Sequence, residues 1–271
     1  MARVLLALAS LVIVVPLMGL GNTVGYHRLL THRAFKCGRG LRAALTLLGA
    51  SYSGSPLFWV GLHRLHHASS DTPDDPHSPR AGFAWAHCGW IVGAHHWLPC
   101  ALFALSGFGQ QAVILVHDLR RLAGKNPPIW LEMVPDLKDD PLLRALDRPG
   151  VMPALFLAQL GLAWGLAGGW GLLALWVAHL WLTNTSWAVN SVAHTPAFGV
   201  RPYETDDGSR DVPWLALLTH GEGYHNGHHR FPRSARHAVE GGWDLSWWVI
   251  VGLVKLGLAS DPWLPKRVRG G

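Results

Sequence analysis

The sequence predicts an all-α integral membrane protein, built as a transmembrane helical bundle with a cytosolic helical cap. Of its 271 residues, 49% are apolar and only 15% are charged, against about 25% charged residues in an average soluble domain. The mean hydropathy is +0.18, and the apolar residues form long runs. The 17 histidines gather beside these runs in short clusters. The cap is therefore expected to hold a His-rich di-metal site.

Three apolar runs are long enough to cross a bilayer. They cover about 4–20, 151–168 and 170–190, or roughly 26 to 31 Å as helices, and a hydrocarbon core is about 30 Å thick. The last two runs meet at Gly168-Gly169, which predicts a helical hairpin. The first run follows Arg3 and has a signal peptide as its alternative interpretation. No repeat or linker divides the chain, so a single domain over 1–271 is expected.

The net charge of +6 is concentrated beside the apolar runs. Cations follow the first run (Arg28, Arg33, Lys36, Arg39 and Arg42) and end the chain (Lys266, Arg267 and Arg269). Cytoplasmic flanks of membrane helices carry such an excess, so this side is expected to face the cytoplasm. The sequence has no basic stripe interleaved with aromatic residues, which argues against a nucleic-acid partner. Three cysteines without CxxC spacing exclude a disulfide scaffold.

Nine histidines fall in four clusters, two of which read HxxHH. On a helix, residues i, i+3 and i+4 share one face, so each HxxHH is expected to present three imidazoles together. A pair five residues apart lies about 140° around an ideal α-helix, and must straddle a site or mark an unwound end. Neutral imidazole suits Fe, Zn, Cu and Ni, and nine nitrogens exceed the needs of one metal and suit two. The clusters are His27 and His32; His63, His66 and His67; His194, preceded by Asn190; and His225, His228 and His229.

The clusters also constrain the topology. All nine imidazoles must lie on one side of the membrane to meet, so an even number of crossings separates each pair of clusters. The stretches at about 43–62 and 97–119 should then lie in the interface or dip and return, and 245–258 is expected to be interfacial as well. Four small residues within the first of these stretches are guessed to line a substrate tunnel: Gly49, Ala50, Ser53 and Gly54.

The chain resembles the membrane fatty acid desaturases, specifically the delta-9 group of stearoyl-CoA and cyanobacterial acyl-lipid desaturases. It is most similar to the bacterial and cyanobacterial acyl-lipid enzymes. The resemblance extends from about Gly19 to the C-terminus. It is carried by Gly-Tyr-His27-Arg-Leu-Leu-Thr-His32-Arg, Trp59-Val-Gly-Leu-His63-Arg-Leu-His66-His67, Asp71-Thr-Pro-Asp-Asp75-Pro-His77, Asn190-Ser-Val-Ala-His194 and Gly221-Glu-Gly-Tyr-His225-Asn-Gly-His228-His229.

The resemblance implies a chemistry as well as a fold. It implies two irons, ferrous before O₂ binds, with O₂ as co-substrate and a cis double bond, at Δ9, as the product in a saturated acyl chain held in a bent apolar tunnel. The nine clustered histidines would be the catalytic metal ligands, with Asn190 holding a metal through water. Asp71, Asp75 and Glu222 would orient imidazole N–H groups, although Asp71 and Asp75 fit equally well as turn residues.

The resemblance further implies partners and a location. The protein would lie in the bilayer of the inner or cell membrane, with its active site facing the cytoplasm. The acyl substrate would be linked to a lipid, to CoA or to a carrier protein. The sequence has no flavin, NAD or haem motif, so electrons would come from a donor such as ferredoxin with its reductase.

The chain departs from the family pattern in three places. Animal acyl-CoA desaturases carry an Arg-Asp pair before the second histidine box, where this chain has Gly61 and Leu62. This difference favours an acyl substrate that is linked to a lipid or a carrier protein over one that is linked to CoA. One apolar run precedes the first box where the family usually has two, and 97–119 is longer and more apolar than the family pattern.

Other functions compete with desaturation. A di-iron lipid hydroxylase or ketolase has similar histidine clusters. A non-enzymatic membrane metal carrier would place its histidines along the spans, where only His179 lies. A zinc protease would need HExxH, which is missing from the sequence. The remaining histidines are expected in loops or beside the ligands: His77, His87, His95, His96, His117, His220 and His237.

Overall fold

The computed structural model describes residues 1–125 and 129–266, and these fold mainly as helices. The α-helices are α1 (Ala2–Leu20), α2 (Arg39–Ser53), α3 (Pro56–Ser69), α4 (Trp90–Val92), α5 (Trp97–Leu105), α6 (Gly109–Leu122), α7 (Pro141–Leu146), α8 (Val151–Ala167), α9 (Gly169–Val192), α10 (Pro213–Leu218), α11 (His225–Arg230) and α12 (Leu245–Lys255). Two π-helical segments cover Gly21–Thr31 and Trp85–Gly89, and two 3₁₀ turns cover Pro79–Ala81 and Ile129–Met133. Strands β1 (Lys36–Cys37) and β2 (Ala259–Ser260) form one antiparallel pair.

The first apolar run belongs to a helix longer than the expected 4–20. α1 continues into the Gly21–Thr31 π-helix, and together they make Ala2–Thr31, which has 30 residues. Among the described residues, this helix alone is by itself long and apolar enough to cross a membrane. The Gly21–Thr31 segment packs closely against α2, since a Cβ on Gly21 would lie 2.3 Å from the backbone nitrogen of Gly49.

The two apolar runs after residue 150 form a helical hairpin. α8 and α9 meet at Gly168, whose φ of 59° suits glycine because it lies in the left-handed region. α8 has 17 residues, which is short for a membrane span. The polar run Thr183-Asn184-Thr185-Ser186 lowers the hydropathy of α9. Crossings by 151–168 and 170–190 therefore stay predictions. α1 packs against this hairpin through small side chains, with Ala7, Ala167 and Ala174 in one buried cluster.

Each stretch predicted to be interfacial contains a helix, and two of the three are broken. The stretch at 43–62 is interrupted at Gly54, where φ is 83°, and Ser55 begins α3 by accepting a hydrogen bond from the Phe58 N–H. The stretch at 97–119 divides into α5 and α6. α5 and the preceding Trp85–Val92 helix are long and apolar enough to cross a membrane only when taken together, and they are bent by 86° where they meet. α12 occupies most of 245–258, capped by Asp244.

Arg28, one of the cations that follow the first apolar run, does not contribute to a surface charge. Its side chain is fully buried, because its guanidinium pairs with Glu222 and, at 3.0 Å, with Asp244. The exposed cations after the first apolar run are Arg33, Lys36 and Arg39. At the other end of the chain Arg267 and Arg269 lie outside the described residues, so the positive-inside prediction rests there on Lys266.

Candidate metal centre

The structure brings all nine clustered histidines together. They form two adjacent groups, and within each group one nitrogen from every ring lies within 4.8 Å of the others. The groups touch, since the rings of His67 and His229, one from each, are 4.5 Å apart. The first group is His27, His32, His63, His67 and His228, and the second is His66, His194, His225 and His229.

The two HxxHH motifs divide between the groups instead of serving one each. On α3, His63 and His67 join the first group and His66 joins the second. His63 and His67 are four residues apart and lie about 40° apart around the helix, whereas the neighbours His66 and His67 lie about 100° apart. His66 therefore points to a different side. α11 does the reverse, sending His225 and His229 to the second group and His228 to the first. The expected face of three imidazoles is therefore split two and one on each helix.

The five-residue spacing of the first cluster is explained by the π-helix. In this segment the His32 N–H donates to the His27 carbonyl at 3.2 Å, an i to i+5 bond that places the two residues one turn apart. Their rings lie 4.9 Å apart in the same group. His32 caps this segment, so the pair marks the end of a helix, which is one of the two expected arrangements, and the wider helical turn brings both rings to one face.

Carboxylates hold the outer nitrogens of four of these rings. In each case the carboxylate accepts from Nδ1, so the proton lies on Nδ1 and the Nε2 lone pair faces the group interior. The pairs are His27 with Glu222, His66 with Asp75 at 3.0 Å, His194 with Asp71 at 3.1 Å, and His229 with Asp207 at 2.5 Å.

The inner nitrogens have a geometry that fits metal ligation. The Nε2 atoms of His67 and His228 are 2.9 Å apart, and those of His225 and His229 are 3.0 Å apart. Bare lone pairs repel at such distances, but two ligands at about 2.1 Å from one metal and at right angles to each other lie roughly 3.0 Å apart. The Nε2 atoms of His32, His66 and His194 are buried without a hydrogen-bond partner. The residues present therefore fit a di-metal site.

The surroundings of these rings keep the imidazoles neutral, which is the form that binds a metal. Burial, assisted by neighbouring imidazoles, holds the pKa of His63, His67 and His228 well below the usual histidine value. Burial also lowers the pKa of His229 to about 4 against the opposing effect of Asp207. Neutral imidazoles are what a metal binds.

Asn190 lies beside the histidines, sharing the lining of a cavity with His63. It stands on α9, four residues before His194, and lines two neighbouring cavities. Its predicted role in holding a metal through water stays a prediction.

Sequence reasoning missed Asp207 and the buried position of Arg28, whereas His77 and His237, expected in loops or beside the ligands, lie beside the site. Asp207 lies in a turn between α9 and α10, where its carboxylate also accepts from the Ser209 N–H, and no motif marks it. His237 is fully buried, with its ring 4.3 Å from that of His228. His77 lies beside Asp75, with Nδ1 to Oδ1 at 3.4 Å. Arg28 lies inside the first motif, and its position between the two histidines was the available signal.

An apolar cavity of about 550 Å³ opens beside the histidines, within the range of small-molecule sites. Its lining includes His63 and Asn190 at the metal side and Trp59, Ile114 and Trp187 along its walls.

The guess about which small residues line this cavity is half wrong. Ser53 and Gly54 line it. Gly49 instead lies against the ring of Tyr26, and Ala50 belongs to the buried cluster that contains Tyr26.

Comparison with known proteins identifies the family. Residues 3–250 match the family described as fatty acid desaturase. The chain is 36% identical over 249 residues to the sn-1 stearoyl-lipid 9-desaturase of Anabaena variabilis, covering 90% of this chain and 78% of that protein. It is 34% identical to the sn-2 palmitoyl-lipid 9-desaturase of a Nostoc species, covering 89% and 75%, and 34% identical to an acyl-CoA 5-desaturase of Anemone leveillei, covering 92% and 68%.

These matches are to a family of membrane-associated oxidoreductases. The chain belongs to the fatty acid desaturase family, and its expected activity class, desaturation of fatty acyl chains, is confirmed.

Proposed function

We propose that this protein inserts a cis double bond at Δ9 into a saturated acyl chain, using O₂, two irons and electrons from a separate donor. The observation that carries the proposal is the position of the two histidine groups, which lie side by side and reach an apolar cavity through His63. The named activities of the cyanobacterial relatives support the Δ9 position.

The protein's own part in the reaction is to hold the metals and place the substrate. The two groups would bind one iron each, with Asn190 acting through water. Asp71, Asp75 and Glu222, joined by Asp207, orient the rings by accepting from Nδ1. When bound, the irons would supply O₂ activation and the removal of two hydrogens from unactivated methylenes, which side-chain acids and bases cannot achieve. The cavity wall beside His63 would hold the reacting carbons near the metals and exclude water.

The membrane placement belongs to the same proposal. Ala2–Thr31 would cross the inner or cell membrane, and the histidine groups would face the cytoplasm, where reduced ferredoxin and its reductase are available. The exposed apolar surface of the α8–α9 hairpin supports contact with lipid, since Leu157, Leu162 and Trp164 are 65, 64 and 61% exposed. A metal carrier is disfavoured, because the nine rings form two compact groups instead of a relay along the spans.

The test is product analysis in a host without its own desaturase. Expression of the chain should yield monounsaturated fatty acids whose double bond maps to C9–C10 by mass spectrometry, and the purified protein should hold iron. His228→Ala should abolish the product and lower the iron content. The exposed His96 serves as the control, and His96→Asn, which keeps a side-chain acceptor for the Leu98 N–H, should leave both unchanged. A hydroxylated or keto product, or a fully active His228→Ala variant, would refute the proposal.

A further inference from the structure

Three arginines contribute to the lining of the apolar cavity. Arg120 and Arg121 close α6, and Arg148 follows α7, and all three line the cavity. Arg121 is neutralised by Asp147 at 3.0 Å, and Asp118 is buried, accepting from the Gly150 N–H. Among the described residues Arg120 and Arg148 have no ion-pair partner, and both are exposed. The cavity lining therefore includes two guanidinium groups that are available to bind an anionic group of a ligand.

The hydrogen-bond network fixes where Arg121 and Asp147 stand along α3, and Arg120 and Arg148 are their neighbours in sequence. Arg121 contacts Asp147, and Asp147 accepts from Ser55 at 2.5 Å, which is the residue that begins α3. His63, eight residues further along, lies about 12 Å down the helix axis at 1.5 Å per residue. An extended acyl chain advances about 1.3 Å per bond when its C–C bonds are about 1.5 Å. Its ninth and tenth carbons thus lie roughly 10 to 11 Å from an ester placed beside Ser55.

The outer surface of α6 indicates the medium from which the substrate comes. While Ile114 packs inward against the buried core, Leu115, Leu119 and Leu122 are 45, 56 and 71% exposed. An exposed apolar face with arginines at its end is typical of a helix lying in the membrane interface. The arginines would then stand at the level of the lipid phosphates. A substrate delivered by a soluble carrier protein would not need a lipid-facing surface beside the cavity.

We propose that Arg120 and Arg148 bind the phosphate of a glycerophospholipid, and that its acyl chain enters the cavity from the bilayer alongside α6. The inference rests on the proposed desaturase function and adds the substrate class. Guanidinium forms paired, charge-assisted hydrogen bonds to phosphate, and the glycerol unit spans the gap between the phosphate at the arginines and the ester beside Ser55. This also gives a role to the apolar stretch at 97–119, whose second half lies in α6.

The test compares three carriers of the same acyl chain. The iron-loaded full-length protein in vesicles, supplied with ferredoxin and its reductase, is offered distearoyl phosphatidylglycerol, distearoyl monogalactosyldiacylglycerol or stearoyl-CoA. The phospholipid should have at least tenfold higher kcat/KM than the galactolipid, which has the same esters and no phosphate. In the double variant Arg120→Gln/Arg148→Gln, the KM for the phospholipid should rise about tenfold with kcat within twofold, and the galactolipid should be unaffected.

Arg144 provides the matched control. It is exposed on α7 and does not line the cavity, so Arg144→Gln should leave the KM unchanged. Equal use of phospholipid and galactolipid, preference for stearoyl-CoA, or an equal loss with every carrier in the double variant would overturn the inference. Failure of the wild-type protein to desaturate any of the three would instead count against the proposed function.

Discussion

The Nε2 atoms of His67 and His228 lie 2.9 Å apart, although 161 positions separate the two residues. His67 belongs to α3 and His228 to α11, and each helix also sends histidines to the second group. Every metal of the proposed pair is therefore held by both helices at once. Loss of one ring should affect one group first, which allows the two groups to be tested separately.

Removing one ligand from each group should remove one metal at a time. His63→Ala in the first group and His194→Ala in the second should each reduce the iron content from about two per chain to about one, because imidazole ligands are few and specific at each metal. Elemental analysis of purified protein measures this, with His96→Asn as control. Two irons retained in both variants would contradict the division of the histidines.

Asp207→Asn should weaken metal binding without removing a metal ligand. The carboxylate holds the Nδ1 proton of His229, and loss of such a partner typically costs 10–100-fold in metal affinity or activity. Iron titration by a chelator and turnover both report the change. Asp206 is the exposed neighbour, so Asp206→Asn should behave as wild type. Equal behaviour of the two variants would mean that Asp207 does not orient His229.

Arg28→Met should destabilise the fold strongly. The substitution leaves the buried Glu222 and Asp244 carboxylates without their guanidinium, and breaking a buried pair in this way costs about 3–5 kcal/mol. Thermal unfolding in detergent measures the loss. Arg39 is exposed at the start of α2, so Arg39→Met should change stability by no more than about 0.5 kcal/mol. Similar melting temperatures for both variants would contradict the burial of Arg28.

Gly21→Ala should disrupt the contact between the Gly21–Thr31 segment and α2. The added Cβ would meet backbone at 2.3 Å, and overpacking costs about 1–3 kcal/mol. Gly40→Ala is the control, because nothing lies within 4 Å of its Cβ position and alanine favours an exposed helix by about 0.5–1 kcal/mol. The two alanine variants should move the melting temperature in opposite directions, and a shared direction would contradict this packing.

Asp211 should make stability depend on pH between about 4 and 6. Burial raises the pKa of its carboxyl to about 6 from the ordinary 3.8, and it accepts from the Gly227 N–H at 3.0 Å. Because the folded-state pKa is raised, the stabilisation is fully present below pH 4 and is lost as pH rises to 6. Relative to wild type, the free energy of unfolding of Asp211→Asn should therefore increase by on the order of 2–3 kcal/mol as the pH rises from 4 to 6. A pH-independent difference in unfolding free energy between the two proteins would refute this.

Local signals in the sequence predicted much of this architecture. The helical hairpin turns at Gly168, and the break between α2 and α3 falls at Gly54 and Ser55, because glycine φ values and capping side chains act over a few residues. The nine histidines were found by their spacing for the same reason. Asp71, Asp75 and Glu222 were placed beside rings by resemblance, and each contacts one in the structure.

The sequence by itself determined which residues could ligate and which helices carry them, since helical periodicity is a local property. Only the tertiary structure decided that His66 joins His225 and His229 while His228 joins His63 and His67, because that depends on how α3 and α11 cross. It also decided the burial of Arg28 and the contact of Asp207 with His229. Charge and spacing along the chain do not encode these contacts, which arise from segments far apart in sequence.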